Sequence, residues 1–226
     1  WSGARKQTLK KIWERLCLLL KPRHSTLHVT AQVEKEASLA RLPGFTADII
    51  SNAVEAPATL PGRAWKPGGA LRLMFISRVD PKKGLEILLQ AMPRLAPETT
   101  LDIFGRGEPS YVEALERLAS GLGVAERVHF RGHVDGDAKR AAFMSADLFV
   151  FATHSENFGM VVAEALAHGV PAIVSHGAPW PDLDAKDCGR WVAKSAQAFA
   201  AAIEDVRDKD LEAMGRNGRR WMQEDF

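Results

Sequence analysis

Residues 146–175 read ADLFVFATHSENFGMVVAEALAHGVPAIVS. The apolar run Leu148–Ala152 is too short for a helix, and its apolar residues are consecutive rather than alternating. That is the pattern of a strand buried on both faces, as in a parallel sheet. Gly159–His168 then carries helical spacing and ends at Gly169 and Pro171, and Val170–Val174 is a second apolar strand. Strand, helix and strand of these lengths make one βαβ unit. Inside it, Glu156 and Glu164 stand eight residues apart in a segment otherwise dominated by apolar and small residues.

The alternation extends in both directions. Strands are predicted at Leu71–Ile76, Leu101–Phe104, Arg127–Phe130 and Arg190–Val192. Helices are predicted at Gly84–Leu95, Pro109–Leu122, Asp137–Ser145, Ser195–Val206 and Leu211–Met222. The fold class is therefore α/β, a Rossmann-like parallel sheet with helices on both faces. Right-handed crossovers bring the loops after the strands to one edge, where ligands bind. The first 60 residues form a separate, incomplete α/β segment. It comprises a basic helix at about Arg5–Leu20, strands at Leu27–Thr30 and Asp48–Ser51, and a helix at Gln32–Arg41. PGRAWKPGGA, residues 61–70, has the composition of a linker.

The 226 residues carry a net charge of only +2, so no nucleic-acid partner is implied. Residues 1–23 nevertheless hold seven Lys or Arg against the single acid Glu14. Cys17 and Cys188 are far apart, fit no metal-ligand spacing, and read as reduced thiols of a cytoplasmic protein. No run approaches the ~18 apolar residues of a membrane span. Position 1 is Trp rather than Met, which suggests that residues precede it.

Three loops carry unusual chemistry. SRVDPKKG, Ser77–Gly84, offers Arg78, Lys83 and a helix N-terminus, a combination that suits a phosphate or an ordinary charged turn. FGRGE, Phe104–Glu108, has Gly105 and Gly107, which serve either a tight turn or a close ligand approach. Its third dinucleotide-type glycine is missing, because position 110 is Ser, which argues against NAD. The third loop, before Gly159, leaves N–H groups at Gly159 and Met160 for an anion. Were all eight steps from Glu156 to Glu164 helical, the two carboxylates would stand ~12 Å apart along the axis. They could then accept from hydroxyls at both ends of an elongated nucleotide sugar, with its diphosphate between. Equally, Glu156 could cap the helix and Glu164 pair with a surface base.

Read in order, FISRVDPKKG, LDIFGRGE, VHFRGHV, the 146–175 stretch and APW…DCGRWV resemble the retaining glycosyltransferases of family 4, which have the two-domain GT-B fold. The resemblance implies that Arg78 and Lys83 contact the donor diphosphate. Glu156 would hold hydroxyls of the transferred sugar, with Lys83 and Arg78 as its catalytic partners. Phe158, Gly159 and Met160 would contribute backbone contacts, Glu164 would bind the ribose, and Gly105 with Arg131–Val134 would border the nucleotide. It implies no metal and no cofactor beyond a UDP-, GDP- or ADP-type sugar as donor substrate. The tail resembles bacterial enzymes of lipopolysaccharide or exopolysaccharide synthesis, with a saccharide or lipid-linked acceptor. Ser77, Ala152, Ser51 and Ala53 depart mildly from the family pattern.

On this basis the chain is expected to be a fragment. Residues 1–60 would be the remnant of an acceptor domain, 61–70 the linker, 71–206 the donor domain, and 207–226 a truncated crossover helix. It would bind a donor and transfer little. A non-catalytic nucleotide-binding module of the same fold is the alternative. The apolar stripe of the basic helix suits either packing on a missing domain, with dimerisation as a risk, or peripheral attachment to the inner face of a membrane.

Overall fold

The structure is a computed structural model, and it describes residues 7–22, 24–50, 52–59 and 70–226. Arg5, Lys6, Arg23, Ser51 and residues 61–69 of the expected linker lie outside the described residues. The chain divides into two compact units, Trp1–Asn52 and Ala53–Phe226. Residues 53–59 thus group with the second unit, whereas the sequence places them in the first.

The first unit runs α1 (Gln7–Leu19), β1 (Thr26–Val29), α2 (Gln32–Arg41) and β2 (Thr46–Ile49). β1 and β2 pair in parallel, from Thr26 against Thr46 to Val29 against Ile49, as a βαβ unit requires. β1 stops one residue short of expectation. Thr30 turns instead to α2, where its N–H and hydroxyl both donate to Glu34 at 2.8 Å. Leu9, Ile12, Trp13 and Leu19 of α1 are exposed.

The second unit holds β3 (Arg72–Ile76), α3 (Leu85–Ala91), β4 (Thr100–Phe104), α4 (Pro109–Gly121), β5 (Val128–Gly132) and α5 (Gly136–Ser145). It continues with β6 (Leu148–Phe151), α6 (Met160–Ala167), β7 (Ala172–Ser175), β8 (Gly189–Val192), α7 (Ala196–Arg207) and α8 (Leu211–Asp225). The six strands are parallel, in the order β5-β4-β3-β6-β7-β8. β6 and β7 are buried at every position, which is why they read as apolar runs, with Ser175 at the end of β7 donating its hydroxyl to the Thr153 carbonyl at 2.5 Å. α3 contacts both α4 and α7, and α6 contacts α8. Pro93 cannot donate an N–H, so α3 ends at Ala91 and a 3-10 turn, Met92–Arg94, completes the predicted helix.

Strand order reverses between β3 and β6. Chain leaving the two carboxyl ends diverges there and opens a crevice. The opposite ends are locked together. Asp147, buried just before β6, accepts from the Arg72 backbone N–H and from Nε at 2.9 Å each, and from Nη2 at 2.7 Å. Residues 207–226, set apart by the sequence as a crossover helix, form the end of α7 and α8, which packs on α6. There Trp221 and Phe226 join Trp180 and Phe158 in one aromatic cluster, with ring centroids 5.1 to 5.9 Å apart.

Asp147→Ala leaves a strand-edge N–H and a guanidinium without their shared acceptor. Its expected cost is about 2–4 kcal/mol. Urea denaturation should show a lowered midpoint at unchanged slope.

Candidate functional site

The loop after β3 is built by local rules. Asp80 accepts the Lys82 N–H at 2.9 Å and caps a 3-10 turn, Pro81–Lys83, with Pro81 at its first position. Gly84 then reverses the chain in the left-handed region, at φ 66°. A Cβ there would lie 2.3 Å from the Ala152 carbonyl oxygen, so only glycine lets this turn rest against the end of β6. The two loops are stitched further. The Lys82 carbonyl accepts from the His154 N–H at 2.9 Å and from the Thr153 hydroxyl at 3.2 Å.

This stitching buries Lys83 beside the loop after β6. Its ammonium pairs with Glu156 Oε1 and lies 5.4 Å from the centre of the Phe151 ring. Glu156 is held from its other side, since its N–H donates to the Gly177 carbonyl at 2.7 Å. The Lys83–Glu156 pair therefore bridges β3 and β6 across the point where strand order reverses.

The loop after β4 owes its glycine to packing between loops. Gly105 has φ 144°, and a Cβ on it would fall 1.7 Å from the Ser77 carbonyl oxygen. Its missing side chain admits the neighbouring loop, and Gly105 also borders the cavity. Val79 donates to the Arg106 carbonyl at 2.8 Å and bridges to Gly107, so β3 and β4 stay zipped beyond their ends. Arg78 and Arg106 are thereby presented to one cavity.

That cavity, about 510 Å³, lies at the carboxyl edge of the sheet. The cations Arg78 and Lys83 and the acids Glu156 and Glu164 line it, together with Gly105, Val134, Gly159 and Met160. Two predicted residues stand apart. Arg131 is turned to Asp102, with Nε 2.7 Å from Oδ1. Phe158 is buried in the aromatic cluster, and its carbonyl accepts the Trp180 indole N–H at 2.7 Å. It anchors the start of α6 without facing the cavity. α6 itself begins only at Met160, so Glu156 sits in the loop before it and the all-helical spacing does not apply. The Val162 N–H donates to the Gly159 carbonyl at 2.8 Å, and the N–H groups before it stand at the open start of α6, where a helix offers no acceptor of its own.

The sequence missed Arg106 and Lys139. In FGRGE the glycines carry the recognisable signal and Arg106 does not, and Lys139 lies on α5 in a stretch with no distinctive pattern. Lys139 Nζ is 2.7 Å from Glu164 Oε1. Both carboxylates of the cavity are thus neutralised by a lysine. Arg78 and Arg106 form no ion pair among the described residues, so the cavity carries surplus positive charge. Among the described residues no cluster of three or more His, Cys, Asp or Glu could hold a metal ion. Cys17 and Cys188 are free thiols, and burial pushes Cys188 up to about 12.

Residues 70–209 match the sequence profile of the glycosyl transferases group 1 family. The chain belongs to that family. A relative in Mycolicibacterium smegmatis, a GDP-mannose-dependent alpha-(1-6)-phosphatidylinositol monomannoside mannosyltransferase, is 35% identical over 163 residues, covering 66% of this chain and 42% of its own. Sucrose-phosphate synthase from Thermosynechococcus elongatus superposes with a TM-score of 0.81 at 24% identity, over 99% of this chain and 59% of its own. Anabaena HepE, solved with UDP, gives 0.81 at 21% identity, over 96% of this chain and 64% of its own. The chain thus spans less than two thirds of these proteins, and its fold is that of GT-B glycosyltransferases. No described helix is long and apolar enough to cross a membrane.

A second cavity, of about 900 Å³, is lined by the C-terminal part of α5, by residues 55–59 and by His168 just past α6. His168 Nδ1–H donates to the Glu164 carbonyl at 2.7 Å, and the ring stacks on Phe143. Its Nε2 is buried without a hydrogen-bond partner among the described residues. Burial pushes the His168 pKa below its ordinary value. Below about pH 6.5 the unfolded chain takes up a proton that the folded ring resists, so stability falls with pH there. His168→Gln should therefore lose less thermal stability than the wild type between neutral and mildly acid pH, measured by paired melts.

Proposed function

We propose that the cavity binds a nucleoside-diphosphate sugar and that the whole protein transfers its hexose, with retention of configuration, to a saccharide or lipid-linked acceptor. The observation that carries this reading is the charge layout. Two lysine-neutralised carboxylates line one cavity together with a helix N-terminus and two arginines that form no ion pair among the described residues. A diphosphate between two hydroxyl-bearing sugars has the complementary layout. Arg78, Arg106 and the start of α6 would take the diphosphate. Glu164 would take the ribose and Glu156 the hexose hydroxyls. Lys83 would stabilise the charge that grows on the leaving diphosphate, from a buried position that needs little reorganisation. Because these groups supply the positive charge, the reaction is proposed to be metal-independent.

The mannosyl donor named for the mycobacterial relative and the UDP bound by Anabaena HepE support a nucleotide-linked sugar as donor. Exposed apolar residues on α1, flanked by Lys10, Lys11 and Arg15, support peripheral attachment to an anionic membrane.

Titration calorimetry with UDP, GDP and ADP should find one preferred nucleotide. Arg78→Ala and Lys83→Ala should each weaken it about 10- to 100-fold, the effect of one charge-assisted contact. EDTA should change the affinity by less than about twofold if helix and arginine supply the charge. Glu156→Ala should abolish transfer in the whole protein while largely sparing nucleotide affinity. Undiminished transfer by that variant would favour a binding module instead.

A further inference from the structure

We infer that Lys139 determines specificity in this site, by forming with Glu164 a donor–acceptor couple that selects a nucleotide bearing free ribose hydroxyls. The inference rests on the nucleotide reading above. Lys139 and Glu164 come from different helices, α5 and α6, and meet at 2.7 Å on the wall of the cavity. Their side chains are 32% and 29% exposed, so the pair is open to a ligand. Pairs this exposed contribute little to stability, which leaves folding a weak reason for the contact.

The chemistry of the couple differs from that of a lone carboxylate. Glu164 receives Lys139 on Oε1, and no hydrogen bond to Oε2 is seen among the described residues. An ammonium carries three N–H donors, and one contact to Glu164 leaves two. The couple therefore presents an acceptor and donors side by side. A hydroxyl both donates and accepts, so two neighbouring hydroxyls can satisfy both members at once. Without Lys139, Glu164 would offer only acceptors and would carry a net negative charge toward the diphosphate. The backbone is fixed as well, because the Glu164 carbonyl is held by His168.

The test compares UDP, GDP and ADP with their 2′,3′-dideoxy counterparts by calorimetry, on the wild-type chain, Lys139→Met and Lys139→Arg. The wild type should prefer the ribose form by about tenfold or more, one lost hydrogen bond to a charged group. Lys139→Met should narrow the preference to about threefold or less, by weakening the ribose form while nearly sparing the dideoxy form. Lys139→Arg, which retains donors, should restore most of it. Partial unfolding would lower both affinities by the same factor, so the ratio reports the couple alone. Equal weakening of both forms by Lys139→Met would make Lys139 a general phosphate attractor and overturn the inference. So would an unchanged preference, or a wild type that binds without preference. A wild type that binds no nucleoside diphosphate overturns the nucleotide reading itself.

Discussion

β3 and β6 pair in parallel at the centre of the six-stranded sheet, through Leu73 with Leu148 and Met74 with Phe149, and the chain then leaves them in different directions. Everything at the site depends on this pairing. At its amino end, Asp147 gathers both the backbone and the guanidinium of Arg72. At its carboxyl end, the turn before α3 and the loop before α6 are joined by the Lys82 carbonyl and the Lys83–Glu156 pair. A crevice arises because each strand's helix must return to the sheet by its own right-handed crossover. Loop segments pinned to one another by backbone hydrogen bonds line it on the strand side, and Lys139 of α5 with Met160 and Glu164 of α6 complete it.

The electrostatics follow from that geometry. Lys83 is buried, and an isolated buried ammonium is costly to desolvate; Glu156 offsets the cost and is itself held by Gly177. The paired side chains are positioned before any ligand arrives, which is the condition for stabilising charge that develops during group transfer. Lys139 and Glu164 repeat the device in a wetter setting at the other carboxylate. With both acids neutralised, Arg78 and Arg106 set the sign of the cavity. A second layer supports the first: Trp180 holds the Phe158 carbonyl, and Trp221 of α8 and Phe226 just beyond it pack around that indole. The start of α6 is thereby tied to the end of the chain.

The sequence by itself determined the α/β alternation, because strands buried on both faces must be continuous apolar runs and helices must show their own period. It also determined that the loops after β3, β4 and β6 share one edge, since parallel strands leave no other place for them. Glu156, Glu164, Arg78 and Lys83 were legible as a group for that reason. Only the tertiary structure decided how they are used. Lys139 reaches Glu164 from another helix, a relation between residues 25 apart that no local pattern encodes. Gly105 makes room for Ser77, because the packing of two loops, not a ligand, fixes what its missing Cβ would meet. Arg131 and Phe158 sit in legible motifs, yet Asp102 claims one and the aromatic cluster the other. Sequence records which chemistry is available at an edge, while side-chain direction is settled by neighbours that only folding brings together.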